Sequence, residues 1–170
     1  REARELIEWH RERGHDIVIL SASASLLVEP IAEELGIDTI VATEVEVIDG
    51  KLTGAITRYL KGEQKAEAMR ELVDKRGYDL ASSYAYSDSL TDVPMLSLVG
   101  HPVAVNPERG LKKHATENGW EMRSFKNPEP LFNPPGAKEI GIGAGVVVTV
   151  TALTSFGIWL AQRGRGGTTS

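Results

Sequence analysis

The stretch Tyr84-Ala85-Tyr86-Ser87-Asp88-Ser89-Leu90-Thr91-Asp92-Val93-Pro94-Met95-Leu96 constrains this chain most. It reads as a short strand that stops in a polar turn bearing two carboxylates, Asp88 and Asp92, four residues apart. Ser87, Ser89 and Thr91 supply the hydrogen bonding such a turn needs, and Thr91 or Asp92 is placed to cap the helix that follows. In an open parallel α/β sheet, ligands bind just beyond the carboxyl ends of the strands, where this turn falls. Paired aspartates there suit a hard cation such as Mg²⁺, which takes oxygen ligands and keeps some of its waters. Asp- and Ser-rich turns also occur with no chemistry attached. Only the neighbouring segments separate the two readings.

Those segments alternate strand and helix. Arg1 to Arg13 sets Leu6, Ile7 and Trp9 among charges and stops at Gly14, the pattern of a short amphipathic helix. Asp16-Ile17-Val18-Ile19-Leu20 is a continuous apolar run, as expected for a strand buried on both faces of a parallel sheet. It runs into Ser21-Ala22-Ser23-Ala24-Ser25, and Leu26 to Leu35 reads as a helix closed by Gly36. Small hydroxyl residues between a strand end and a helix N-terminus suit a phosphate, because backbone N–H groups and the helix dipole favour the anion. A plain Ser-rich cap is the other reading. Thr39 to Thr43 is the next strand, and Ile48-Asp49-Gly50-Lys51 marks a hairpin between Glu44–Val47 and Leu52–Ile56. Lys65 stands at the front of a helix running to about Arg76. A lone lysine there usually reads as a solvated surface charge. The helix dipole mildly disfavours a cation at that end, however, so a lysine kept there makes more sense opposite an anion or carboxylate. His101 to Pro107 gives a further strand, Leu111 to Gly119 a last helix, and Trp120 to Phe125 a strand or loop. The alternation predicts a three-layer α/β fold.

Composition narrows the function classes. The 170 residues are 41% hydrophobic and 25% charged, about one domain's worth of ordinary globular chain. A formal net charge of −5 argues against nucleic acid as a partner, which needs a basic face. The absence of cysteine excludes disulfides, a thiol nucleophile and cysteine-based metal sites, and fits a reducing compartment. His10, His15, His101 and His114 show no metal-ligand spacing and read as structural. The chain opens on Arg1-Glu2 without a methionine, which reads as a fragment or a processed product.

Three pieces stand in one order: the serine of Ile17-Val18-Ile19-Leu20-Ser21-Ala22-Ser23, the lysine of Gly62-Glu63-Gln64-Lys65, and the two-aspartate turn. With Gly100-His101-Pro102-Val103-Ala104-Val105-Asn106-Pro107, they resemble the haloacid dehalogenase superfamily, in its phosphoserine-phosphatase-like IB branch. The resemblance covers about Arg1 to Phe125. It implies a Rossmann-like core and a Mg²⁺-dependent phosphomonoesterase acting on a small phosphorylated metabolite through an aspartyl-phosphate. By the same resemblance Ser21 and the Ala22 N–H bind the phosphoryl group, and Lys65 neutralises charge on it. Asp88 is then the Mg²⁺ ligand, and Asp92 the second carboxylate that orients the lysine or a metal-bound water. Family members start with a strand ending in Asp-x-Asp-x-Thr, which carries the nucleophile and lies mid-sheet, between the strands ending near Ser21 and Ser87. No such motif occurs in these residues. The expectation is a partial core over residues 1–127 that lacks its first strand and cap, exposes two apolar strand edges, and does not turn over by itself. The competing expectation is an inactive, membrane-tethered interaction module.

Beyond the core, residues 128–139 form a Pro-rich linker. Ile140 to Ala161 then runs roughly 22 residues without a charge, about 33 Å as a helix, enough to cross a bilayer core. Trp159 and the flanking Arg163 and Arg165 suit an interface. A single membrane-spanning helix over 140–162 is expected, with a polar tail at 163–170 and the α/β domain in the cytosol at the cytoplasmic membrane. Gly141 and Gly145 have the spacing of a helix–helix dimer face. A buried strand plus a loop is the alternative, and the sheet's central vacancy is the one place that could take it.

Overall fold

The computed structural model describes residues 1–127 and 156–163. Its centre is one seven-stranded sheet in the order β3-β2-β1-β7-β4-β5-β6. The strands are β1 (Asp16–Ala24), β2 (Thr39–Ile48), β3 (Lys51–Arg58), β4 (Tyr78–Ser87), β5 (His101–Val105), β6 (Glu121–Arg123) and β7 (Phe156–Arg163). The helices are α1 (Glu2–Glu12), α2 (Ser25–Leu35), α3 (Glu63–Arg76), α4 (Val93–Leu96) and α5 (Arg109–Glu117). β1 pairs parallel with β2, and β4 with β5 and β5 with β6 likewise.

Alternation along the strands builds the two outer layers. Val18, Leu20, Ala85 and Ala104 pack with Leu60, Ala68, Met69, Met95, Leu96 and Leu111, the layer of α3, α4 and α5. Ile19 and Ala42 face the opposite way, onto Ile7 of α1 and Val28 and Ala32 of α2. Tyr86 and Val103 pack beside Leu6 and Ile17 on that same side. The three-layer α/β expectation therefore holds. β2 and β3 form the expected hairpin, with Asp49 and Gly50 at φ 50° and 74°, the left-handed pair such a turn demands. Gly100 marks a close approach of backbones. A Cβ there would lie 1.8 Å from the Ala81 carbonyl oxygen, while its own N–H donates to the Leu80 carbonyl at 2.9 Å.

The centre of the sheet departs from expectation. It is neither open nor closed by direct pairing of β1 with β4. β7 lies between them, antiparallel to both. Ile158 stands opposite Ile19 on one side and Tyr86 on the other, and Phe156 stands opposite Ser21. The membrane helix expected over 140–162 is thus not formed by its last residues, which are a strand. No helix among the described residues is long and apolar enough to cross a membrane. An uncharged run serves equally for a bilayer span and for a central strand. Two neighbouring strands with unpaired N–H and C=O groups favour the strand, because it pairs along both facing edges, the β4 ladder being interrupted between Asp79 and Tyr84. The linker, residues 140–155 and the Gly141/Gly145 face lie outside the described residues.

Candidate active site

The parallel strands β1 and β4 end at the same edge of the sheet, on either side of the start of β7, and the site residues collect there. Ser21 is fully buried near the end of β1, and its Oγ accepts the Ser23 N–H at 3.1 Å. The pairing of β1 with β2 shifts register between Ser21 and Ala24, so the chain leaves the regular ladder at Ala22. Ala24 is the N-cap of α2, and no side chain caps that helix. The serines are therefore not the plain helix cap that was the other reading of this segment.

Lys65 is the third residue of α3 and is 1% exposed. Its Nζ donates to Asp92 Oδ2 at 2.9 Å, and Asp92 is equally buried. Asp92 is thus the carboxylate opposite a lysine that the helix dipole would otherwise disfavour. Gly62 makes the approach feasible: at φ 59°, ψ −121° it adopts a backbone that side-chain-bearing residues avoid, and it brings the start of α3 against the Thr91 carbonyl. Ser87 Oγ donates to the same Asp92 oxygen at 2.7 Å and accepts the Ser89 N–H at 3.2 Å. Asp92 therefore does not cap α4 with its side chain, as the sequence suggested. Its carboxylate turns inward, and Ser89 caps the 3₁₀ turn Leu90–Asp92 by accepting the Thr91 N–H at 3.3 Å.

Asp88 follows β4 directly and is partly buried. Burial, then the nearby Asp92 and Glu108 carboxylates, push its carboxyl above the usual range, while Lys65 and a backbone hydrogen bond pull the other way. Asp88 Oδ1 and Asp92 Oδ1 are both buried without a hydrogen-bond partner. Buried carboxylate oxygens rarely stay unpaired in native proteins, so an orphaned pair marks a place for a cation or a donor. Three carboxylates against one lysine leave local negative charge to be offset. Hard oxygen donors fit Mg²⁺. Among the described residues no group of three or more His, Cys, Asp or Glu forms a ligand cluster.

The fold thus brings Lys65, Asp92 and Asp88 together at the end of β4 and sets Ser21 and Ala22 across β7 from them. Sequence reading gave Ser87 only a turn-forming role and gave Glu108 none. Ser87 carried a usable signal, as the last strand residue facing the same side as Ala85. Glu108 carried none, because its contacts are made across 18 residues of chain.

Comparisons with known proteins identify the family. The sequence pattern of the haloacid dehalogenase-like hydrolases matches residues 1–97. The chain is 45% identical to the "inhibition of morphological differentiation protein" of Streptomyces azureus, over 96% of this chain and 61% of that protein. It is 37% identical to a phosphoserine phosphatase of Mycobacterium tuberculosis, over 88% of this chain and 49% of the relative. A substrate-bound phosphoserine phosphatase structure superposes with a TM-score of 0.60 at 28% identity, over 71% of this chain and 56% of that one. The chain spans about half to three fifths of the length of these relatives.

Proposed function

Because the chain belongs to the haloacid dehalogenase-like hydrolases, we propose that it carries the phosphate- and cation-binding side of a Mg²⁺-dependent phosphomonoester hydrolase. The substrate is a small phosphorylated metabolite. The observation that carries this reading is the buried Lys65–Asp92–Ser87 network beside the two orphaned oxygens, Asp88 Oδ1 and Asp92 Oδ1. A buried ion pair is weak evidence for stability, since desolvation offsets most of its attraction. Retaining one at the mouth of a parallel sheet makes sense where charge must be handled.

When bound, Mg²⁺ supplies a point charge that stabilises negative charge on the phosphoryl group. Asp88 and Asp92 would hold it through their unpaired Oδ1 atoms. Lys65 lends its ammonium to phosphoryl oxygens, and Asp92 and Ser87 keep that ammonium in one place. Ser21 Oγ and the Ala22 N–H receive the phosphoryl oxygens from the β1 side. Such pre-set donors are the main source of rate in phosphoryl transfer.

These 170 residues contain no Asp-x-Asp-x-Thr. Turnover through an aspartyl-phosphate is accordingly proposed for a longer polypeptide that also carries that segment. Its strand would take the place between β1 and β4 that β7 fills here, setting its carboxylate beside Ser21 and Asp88. An inactive membrane-tethered module has less support, because the described end of the apolar segment is a central sheet strand.

Reading the coding sequence upstream of Arg1 for an in-frame Asp-x-Asp-x-Thr identifies the polypeptide to assay. It should release phosphate from p-nitrophenyl phosphate only with Mg²⁺, and Asp88→Asn or Lys65→Met should cost roughly 100-fold or more in kcat. An upstream sequence without the segment, or hydrolysis indifferent to chelation, overturns the proposal.

A further inference from the structure

Glu108 is the N-cap residue of α5, yet its carboxylate makes no bond to its own helix. The shorter Asp, Asn, Ser or Thr side chains ordinarily accept from the first turn at that position. This one reaches back to the aspartate turn, where Oε1 accepts the Leu90 N–H at 2.6 Å. Its own backbone N–H donates to the Asp88 carbonyl at 2.9 Å. Two bonds from one residue thus bracket the turn, one at the carboxylate residue itself and one midway to Asp92. Gly110, two residues on in α5, completes the contact. A Cβ there would lie 2.8 Å from Leu90 Cδ2 and 3.5 Å from Leu90 Cβ, so the absent side chain is the seat in which Leu90 rests.

The turn needs such a hold. The helix after it, α4, is only four residues long, and the 3₁₀ turn before it only three. Ser89 and Thr91 bond chiefly to one another, their hydroxyls lying 3.0 Å apart, which closes the turn without anchoring it. The Lys65 and Ser87 bonds anchor Asp92 but not Asp88.

We propose that Glu108 is a positioning residue, holding Leu90 over Gly110 so that Asp88 and Asp92 present their oxygens to one cation. This rests on the reading of that pair as the cation site. The side-chain bond is charge-assisted, and losing one such bond is worth about tenfold in an equilibrium. Glu108→Gln keeps an acceptor oxygen in place and removes the charge, whereas Glu108→Ala removes the acceptor altogether.

The experiment measures two things on the 170-residue chain and its variants. One is hydrogen exchange of the Leu90 amide without metal, and the other is the Mg²⁺ dissociation constant by titration. Glu108→Ala should speed Leu90 exchange and weaken Mg²⁺ binding by about tenfold each, with Glu108→Gln within about threefold of the parent in both. Gly110→Ala, which leaves Glu108 intact, should shift both in the same direction by a smaller factor. Unchanged Leu90 exchange in Glu108→Ala overturns the positioning role. Equal losses in Glu108→Gln and Glu108→Ala also overturn it, pointing to long-range charge instead of the bond. Asp88→Asn separates the two layers of the argument: if it binds Mg²⁺ as the parent does, the cation reading falls and the proposal with it. If Asp88→Asn weakens binding while Glu108→Ala does not, only the positioning role falls.

Discussion

Tyr86 and Ser87 are consecutive in β4 and face opposite sides of the sheet, and a buried polar network hangs on each. On the α3 side, Ser87 leads to Asp92 and Lys65, a charged network with two orphaned oxygens next to it. On the α1 side, the Tyr86 hydroxyl lies 2.9 Å from His10 Nε2, and His10 Nδ1 lies 2.7 Å from His15 Nδ1. Trp9 and Tyr84 set their rings edge-on to His10, and Tyr84 stacks on His101 at 4.3 Å. His10 is fully buried; burial, and then His15, Arg123 and Arg13, hold it down at about 4. His15 is lowered and Tyr86 raised, burial being the first cause in both. At neutral pH this second network carries no charge. The difference is instructive: groups whose only task is to bind helix to sheet are buried neutral and mutually satisfied, as polar interiors ordinarily are. The network that keeps its charges and leaves oxygens unpaired is the one placed at the ligand edge.

The change that breaks both networks at once is loss of the strand beside β4. Ile158→Pro puts a residue without an N–H into a strand paired on both sides, which sheets tolerate essentially only at edges. Truncation after Asn127 removes β7 entirely and leaves the apolar edges of β1 and β4 open to other chains. Both proteins should lose cooperative unfolding and self-associate in sedimentation. A sharp monomeric melt of the truncated form would show that β1 and β4 can close up unaided.

The charged network should be the more costly one to break singly. Asp92→Ala leaves the Lys65 ammonium buried without this partner, and removing one member of such a pair costs about 3–5 kcal/mol in urea unfolding. Replacing both, as Lys65→Met with Asp92→Leu, should recover most of that stability while abolishing phosphate binding. Recovery of both would detach the network from the chemistry proposed for it.

Lys65, Asp88 and Asp92 could be singled out from local patterns, a helix start and a turn after a strand end. Each pattern alone is weak, and only their order along the chain, with the family resemblance, gave them roles. The histidine network was not legible, since His10 meets Tyr86 across 76 residues and only once α1 folds back over β4. No spacing rule in the sequence connects them. The strand β7 was misread for a different reason. The uncharged run that ends within it suits a bilayer and a sheet centre alike, and what decides between them is the pair of edges on β1 and β4, far earlier in the chain. The alternation of the remaining strands and helices was readable because each crossover is short and buries its own amphipathic face.

Acid should probe the neutral network without mutation. The folded-state value for His10 lies below the ordinary 6.5, so the unfolded chain binds the extra proton first. Stability from this group is present above about 6.5 and is lost as pH falls toward about 4, by of order 3 kcal/mol. Asp88 acts in the opposite sense: raised in the folded state, it takes up its proton earlier there than in the unfolded chain, and acid relieves its burial. Unfolding measured in an Asp88→Asn background therefore removes that opposing contribution and leaves the His10 slope together with those of His15, Asp79 and Glu2, which are also lowered. His10→Phe should reduce it between about 6.5 and about 4, and an unchanged slope would assign the titration elsewhere.

The smallest expected effect is the sharpest test of the contrast. Tyr86→Phe removes one hydroxyl from the neutral network and leaves His10 Nε2 without this partner, whereas Ser87→Ala removes one hydroxyl from the charged network on the opposite face. Both residues are buried in the same strand, so secondary-structure and hydrophobic terms are closely matched. A neutral hydrogen bond contributes about 1 kcal/mol net, and one to a charged group about 1.5–3 kcal/mol. Ser87→Ala should accordingly cost more stability than Tyr86→Phe, although serine is the smaller side chain and the tyrosine ring stays in place. Adding Mg²⁺ should narrow the Ser87→Ala deficit, because a cation on Asp92 Oδ1 relieves the same carboxylate, and should leave the Tyr86→Phe deficit unchanged. Equal deficits that are insensitive to Mg²⁺ would mean that the two faces of β4 differ in composition only, and that neither is reserved for a ligand.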